Sequence, residues 1–314
     1  MSNLKIAVQM DNPWILDKES DSTFAIIEEA LKRDYDIYIY TVDDLSLKEN
    51  VPVVVCKKIK KLNIKEKKFL QLSNETQKNL SSFNLVLVRQ DPPYNMKYLT
   101  ATYLLEKVSK KTKVLNDPSS IRNSPEKILV TNFYDLMPPT LITRTRKEIY
   151  NFLKIYKECI IKPLYGNGGK DIYLSSIEDP NLSVILEKFI EDEEHFIIQK
   201  FVKNVRKGDK RVLLIDGEPV GAINRLPKEK QIRANLHIGG KAKRTRLTKS
   251  DLEICNRIKN TLKEKKLFFA GIDIIDTYLT EINVTSPTCI REINYFNNDN
   301  IAARFWNTFE ENYL

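Results

Sequence analysis

Histidine is almost missing from this chain, which has 2 among 314 residues, His195 and His237. Cysteine is sparse as well: Cys56, Cys159, Cys255 and Cys289 lie far apart, with no CxxC and no Cys/His cluster. A zinc motif and a disulfide framework are therefore excluded, and a reducing compartment fits. No apolar run approaches the ~18 residues a membrane helix needs, and residues 1–10 hold no long apolar stretch. A soluble, cytoplasmic protein without a membrane partner is expected. Internal repeats, low-complexity tracts and the GK[ST] ending of a Walker A motif are also absent. The 14 Tyr, 13 Phe and 2 Trp nowhere interleave with a dense basic run. Nucleic acid is accordingly the weaker reading of the charge.

That charge is +9 at pH 7, which suits an anionic partner such as nucleotide phosphates. With 42% hydrophobic residues the chain can build a sizeable core and more than one domain. Residues 4–10 read as a strand ending at the turn Asp11-Asn12-Pro13. Ser22 is expected to cap a helix over 23–33, with Ala25, Ile26, Ala30 and Leu31 on its buried face. A second strand at 37–42 completes a βαβ unit, hence a parallel sheet. Residues 51–81, rich in lysine and poorly patterned, read as a solvated excursion. A third strand at 85–88 runs into Arg89-Gln90-Asp91-Pro92-Pro93. Open α/β sheets bind ligands at such strand ends, although an ordinary surface turn fits too. A helix over 98–108 and a strand at 114–115 lead to Asn116-Asp117-Pro118, the end of a first domain. Ser124-Pro125-Glu126-Lys127 then reads as N-cap, N1, N2 and N3 of a new helix.

Residues 159–163, CIIKP, form a strand carrying Lys162. It is followed by Gly166, Asn167, Gly168 and Gly169, where three glycines within four residues let backbone N–H groups approach phosphate. A lysine within a strand is partly buried and needs an anionic partner. Residues 196–202 form another strand. Lys207–Arg211 is a tight turn into a hairpin of strands 212–215 and 219–224 about Asp216-Gly217. Lys210 and Arg211 fall on opposite faces, and Arg211 is expected to enter the cleft. Residues 227–246 hold seven Lys/Arg against one Glu. They read as a solvated basic loop or as a lid that closes over a nucleotide, with His237 a bystander. A helix over 249–263, with Leu252, Ile254, Ile258 and Leu262 inward, leads to the last motif.

Residues 268–275 form a buried strand interrupted by Asp273. After Asp276-Thr277, residues 278–285 alternate, with Glu281, Asn283 and Thr285 on the polar face. A two-residue turn would pair Asp273 with Thr280, and a three-residue loop would set it opposite Glu281. Two carboxylates and an amide oxygen suit Mg²⁺, which shares its ligands with substrate phosphates. A half-buried hairpin facing water fits the spacing equally well. Ser286-Pro287-Thr288 is a turn able to hold a small carboxylate.

Asp273 and the fourteen residues TEINVTSPTCIREI at 280–293 resemble the metal-binding core of the ATP-grasp ligases, above all the bacterial glutathione synthetase family. The resemblance spans nearly the whole chain, including D-S-T-F at 21–24 and R-Q-D-P-P at 89–93. It implies an α/β fold, α+β in its C-terminal part: an ATP-grasp fold behind an N-terminal Rossmann-like pre-ATP-grasp domain. Three domains follow, at 1–123, 124–203 and 204–314, with a lid loop at 226–246. By the same resemblance Lys127, Lys162 and the Gly166–Gly169 loop hold ATP. Gln199, Lys200, Phe201 and Val202 form the adenine hinge, whose backbone carbonyl and N–H groups read the base. Asp209 binds ribose, and Arg211 and Arg225 stabilise an acyl phosphate. Arg233, Asn235, Gly239 and Gly240 belong to the lid. Asp21, Ser22, Arg89, Asp91, Ser286, Pro287, Thr288 and Arg291 lie on the substrate side. Asp273, Glu281 and Asn283 take Mg²⁺, with Mn²⁺ as a substitute. The family usually has an acidic residue where this chain has Tyr165, which alters the loop's charge but not its backbone. The implied reaction joins γ-glutamylcysteine and glycine with ATP as co-substrate, in a homo-oligomer expected to be a tetramer. Another ATP-grasp carboxylate–amine ligase is the nearest alternative.

Overall fold

The computed structural model describes residues 3–108, 112–191, 193–229, 231–236 and 239–314, so His237 lies outside the described residues. The chain opens with β1 (Lys5–Met10), α1 (Ser22–Lys32), β2 (Asp36–Tyr40), β3 (Leu45–Lys48), β4 (Val51–Leu62), β5 (Leu70–Leu72), β6 (Thr76–Asn79), β7 (Leu85–Arg89), α2 (Met96–Leu105) and β8 (Lys113–Leu115). The sheet runs β3-β4-β2-β1-β7-β8, with β5 and β6 also on β4. β1 lies parallel to β2 and β7, as a βαβ start requires. Asp21, not Ser22, caps α1, accepting the Phe24 N–H at 2.8 Å.

The expected excursion at 51–81 is instead three strands. Val54, Cys56 and Ile59 of β4 are buried, while its lysines turn outward. Lys57, Lys58 and Lys61 meet Glu75, Asp36 and Glu66 at 3.0, 2.6 and 2.8 Å. Long lysine stems cover the sheet and carry their charge to water, which masks the strand period in the sequence.

The middle of the chain holds α3 (Pro118–Arg122), α4 (Glu126–Leu129), β9 (Thr140–Thr143), α5 (Arg146–Tyr156), β10 (Cys159–Pro163), β11 (Tyr173–Ser175), α6 (Leu182–Glu191) and β12 (Phe196–Lys200). Its antiparallel sheet, β11-β10-β12-β9, has a core of its own, with Ile149, Leu153, Ile161, Leu186 and Phe196. α4 is a single turn whose N-cap is Pro125, so Ser124 does not cap it.

The third part holds β13 (Asp209–Ile215), β14 (Glu218–Leu226), β15 (Lys241–Arg244), α7 (Lys249–Glu264), β16 (Phe269–Ile275), β17 (Tyr278–Asn283), α8 (Ile290–Asn297) and α9 (Ile301–Tyr313). Its sheet runs β15-β14-β13-β16-β17. The end of the expected lid loop is thus strand β15, paired with β14 from Leu226↔Lys241 to Ile223↔Arg244. On α7 the inward residues are Ile254, Cys255, Ile258 and Leu262, whereas Leu252 is 47% exposed. Buried side chains of the first and third parts mix in common clusters: Val86 with Ile272, and Ile26 with Trp306. The middle sheet with α5 and α6 packs on itself, whereas Ile121 of α3 and Leu129 of α4 join the cluster of Val86 and Ile272. Among the described residues no helix is long and apolar enough to cross a membrane.

Candidate active site

The three sheets enclose a cleft of about 460 Å³. Its floor is the β16–β17 hairpin, whose turn is the short one, with Ile275 opposite Tyr278. Yet Asp273 stands opposite Glu281, because Thr280 is an extra residue bulged out of β17. The Thr280 hydroxyl donates to the Asp273 carbonyl at 3.1 Å and holds the bulge. Neither loop length read from the sequence describes this; the bulge lets a tight turn deliver the wider register.

Across the sheet, Arg211 pairs with Asp273, and Asp209 with Arg225. Arg211 grips Asp273 with two bonds of 2.5 and 3.0 Å. Arg225 reaches Asp273 at 2.8 Å and Asp209 at 2.6 Å. Burial works to raise the Asp273 carboxyl, but the two guanidiniums outweigh it and hold the group well below 3.8. Burial pushes Asp209 up to about 6 against the pull of Arg225, and the charge of Asp273 adds to the rise. Among the described residues Asp209 Oδ1 and Arg225 Nε are buried without a partner, one an acceptor and the other a donor. Gly208 permits the turn into β13: its φ is +124°, and a Cβ there would sit 2.0 Å from Asn224 Oδ1. Lys210 points the other way, to Asp251 on α7.

The opposite wall carries lysines. Lys162 on β10 is 7% exposed, and burial lowers its pKa against the pull of Glu281. Lys127 on α4 lies 3.5 Å from Glu281 and donates to the Gly166 carbonyl at 2.5 Å. Gly168 and Gly169 take φ of 65° and 75°, which curls the loop over the cleft. Asn167 touches the Pro92 carbonyl at 3.5 Å, and Tyr165 stacks on Tyr94 at 6.0 Å. Arg233, from beyond β14, donates to the Gly169 carbonyl at 3.3 Å.

Gln199, Lys200, Phe201 and Val202 line the cleft beside the apolar Ile160, Ile172 and Val205. Two backbone donors of this segment are already engaged. The Lys200 N–H is already given to the Pro139 carbonyl at 2.9 Å, and that of Phe201 to Glu158 at 3.0 Å. As the chain leaves the sheet these groups satisfy neighbouring carbonyls. Neither N–H is left for a ligand.

Asp91, Asn235, Ser286 and Thr288 also reach the cleft. Asp21, Ser22, Arg89, Gly239, Gly240, Pro287 and Arg291 are not among its lining residues. Ser22 accepts the Ile290 N–H at 3.1 Å, and Arg291 reaches Glu28 at 2.9 Å, so both tie α1 to α8. Arg89 is 5% exposed; it donates to Thr23 and to the Pro287 carbonyl at 3.2 and 2.9 Å, behind the wall. Gly239 and Gly240 close a turn, their N–H groups bonded to Leu236 and Asn235 carbonyls at 2.9 and 3.1 Å. Glu126 and Thr285, joined at 2.8 Å, line the cleft and were given no role from sequence. The same alternation that marks Glu281 and Asn283 points to Thr285, and Glu126 adjoins Lys127.

The donor set fits a hard cation. Asn283 turns Nδ2 to Gly271 and Asp273 at 3.3 and 3.4 Å, which presents its Oδ1 away from them. Glu281 stands beside it on the same face. Asp273 fits less directly, since its two oxygens already meet Arg211, Arg225 and Asn283. Among the described residues no cluster of three or more His, Cys, Asp or Glu is suited to a metal. A cation here would lean on a nucleotide's own oxygens.

The prokaryotic glutathione synthetase N-terminal domain family matches residues 4–122, and the prokaryotic glutathione synthetase ATP-grasp domain family matches 126–298. The chain is 47% identical over 310 residues to a glutathione synthetase of Brucella melitensis, covering 98% of each. It is 46% identical over 313 residues to that of Agrobacterium fabrum, covering 99% of this chain and 98% of the relative. Among solved structures, D-cycloserine synthetase matches with a TM-score of 0.71 at 15% identity, over 98% of this chain and 100% of that one. D-alanyl-alanine synthetase A of Vibrio cholerae matches at 0.62 and 14%, over 100% and 99%. These two are likenesses of fold.

Proposed function

This chain belongs to the prokaryotic glutathione synthetase family, and from that membership we propose the reaction and the residues that perform it. It is an ATP-dependent ligase of the ATP-grasp fold, and it joins γ-glutamylcysteine to glycine. The dipeptide carboxylate attacks the γ-phosphorus of ATP, releasing ADP and leaving an acyl phosphate. The neutral glycine amine attacks that carbonyl; as the C–N bond forms the C–O bond breaks, phosphate departs with its electron pair and takes up the surplus amine proton, and glutathione remains.

The observation that carries this reading is the bulged register, which aligns Asp273, Glu281 and Asn283 beneath two buried-side lysines. Charge spread over a phosphoryl group in transfer is stabilised mainly by placed cations. Lys127 and Lys162 supply two from one wall, Arg211 on β13 and Arg225 on β14 two from beside the floor. The unpartnered Arg225 Nε offers a further donor, and Asp209 Oδ1 an acceptor for a sugar hydroxyl. Glu281 and Asn283 would hold the divalent cation, taken as Mg²⁺, which would neutralise phosphate charge. Asp273 joins them only where a guanidinium turns to the substrate. Gln199–Val202 and the apolar Ile160 and Ile172 enclose the base. Asp91, Ser286 and Thr288 meet the peptide and amino acid.

Cys289 is buried, and burial pushes its thiol up, so it stays protonated and no covalent protein intermediate is needed. A cytoplasmic homo-oligomer, a tetramer, completes the proposal, and light scattering tests its size. The deciding experiment is phosphate release with γ-glutamylcysteine, omitting the dipeptide, glycine, ATP or Mg²⁺ in turn. Release that persists without the dipeptide, or that prefers another acceptor, sinks the substrate assignment.

A further inference from the structure

Asn116 has no part in the roles above. It follows β8, is 5% exposed, and does not line the cleft. Its carboxamide nevertheless reaches the third sheet. Oδ1 accepts the Phe269 N–H at 2.8 Å, and Nδ2 donates to the carbonyls of Phe269 and Val284, each at 2.8 Å. The β16–β17 ladder ends at Gly271↔Asn283. Beyond that pair the Asn116 side chain stands in for the missing rung, bonded to Phe269 at the start of one strand and Val284 just after the other. The hairpin is thus pinned at both ends: by the Thr280 bulge near its turn and by Asn116 at its mouth. Glu281 and Asn283 lie between the pins.

Only a carboxamide of this length meets all three backbone groups. Aspartate keeps the acceptor but loses both donations and sets a negative charge against two carbonyls. A hydrocarbon leaves three buried backbone groups without partners. Arg89, from the same N-terminal part, grips the segment after β17 as well: it donates to the Pro287 carbonyl at 2.9 Å, and its carbonyl accepts from Ser286 at 3.3 Å.

We propose that Asn116 is a positioning residue for the cation: by fixing the mouth of the hairpin it holds Glu281 and Asn283 in the register that presents their oxygens together. The inference rests on the reading that these two hold the metal. It makes the N-terminal part a structural member of the metal site.

The test measures Mn²⁺ binding to the ADP complex by electron paramagnetic resonance, apart from turnover, for wild type, Asn116→Asp, Asn116→Ser and Glu281→Gln. Initial rates give KM for the dipeptide in the first three. Asn116→Asp is expected to weaken Mn²⁺ binding at least tenfold while KM for the dipeptide stays within about twofold. Asn116→Ser carries the same expectation should the aspartate variant fail to fold. Wild-type Mn²⁺ affinity in a folded Asn116 variant, with Glu281→Gln impaired, overturns the positioning role alone. Wild-type affinity in Glu281→Gln overturns the cation reading, and the inference with it.

Discussion

Asp273 faces Glu281 although only Asp276 and Thr277 close the turn between their strands. One surplus residue, Thr280, sets the whole polar face of the hairpin. The same face then continues into Arg211 and Arg225, so two acids on β17 and β16 adjoin two bases on β13 and β14.

The Arg211–Asp273 pair is buried on both sides, with side chains 7% and 6% exposed. Removing one partner of a buried pair typically costs about 3–5 kcal/mol, since the other charge is left stranded. Arg211→Ala should therefore lower the melting temperature markedly, and Asp273→Ala likewise. The double variant should melt no lower than the worse single one. Additive losses in differential scanning calorimetry would contradict the coupling.

Asp209 should make stability depend on pH. Its folded pKa, about 6, lies above the ordinary 3.8, so between those values the folded chain binds the proton more tightly. Its contribution is present below 3.8 and is lost as pH rises through about 6. Asp273 acts in the opposite sense and lower: its contribution is present above 3.8 and lost only as pH falls below it. Relative to Asp209→Asn, wild type should gain melting temperature on acidification through that upper window. A gap between the two that is constant with pH would refute the assignment.

Tyr165 stacks on Tyr94 with ring planes 18° apart, linking the glycine loop to the N-terminal part. Such pairs contribute about 0.5–1.5 kcal/mol, roughly two- to tenfold in an equilibrium. Tyr165→Asp, which removes the ring from the stack, should raise KM for ATP by that factor. Unchanged kinetics would show that the stack does not order the loop.

Residues 227–246 offer trypsin seven basic sites. With Arg233 drawn to the Gly169 carbonyl, nucleotide should slow cleavage there and leave other sites unaffected. Equal cutting with and without ATP would argue against closure.

Much of the site was legible because its residues carry unusual chemistry in regular contexts: Lys162 in an apolar strand, Glu281 and Asn283 at a period of two. The bulge was not, since Thr280 is an unremarkable strand residue and its displacement depends on the sheet beside it. The strand β4 was hidden by its own lysines, which count as polar in any periodicity although their stems pack on the sheet. Asn116 reads as a turn residue next to Asp117-Pro118; its partners lie 153 and 168 residues away, beyond any local pattern. The hinge N–H groups of Lys200 and Phe201 show the same limit, because backbone satisfaction is settled by the neighbouring strand.

The last helix shapes how the protein comes to be made. Trp306 of α9 is fully buried and donates to the Ile26 carbonyl on α1 at 2.9 Å, and Arg33 reaches Glu310 at 2.6 Å. Helix α1 therefore lacks its cover until α9 has been made. The middle sheet with α5 and α6, whose core is its own, has no such dependence on α9.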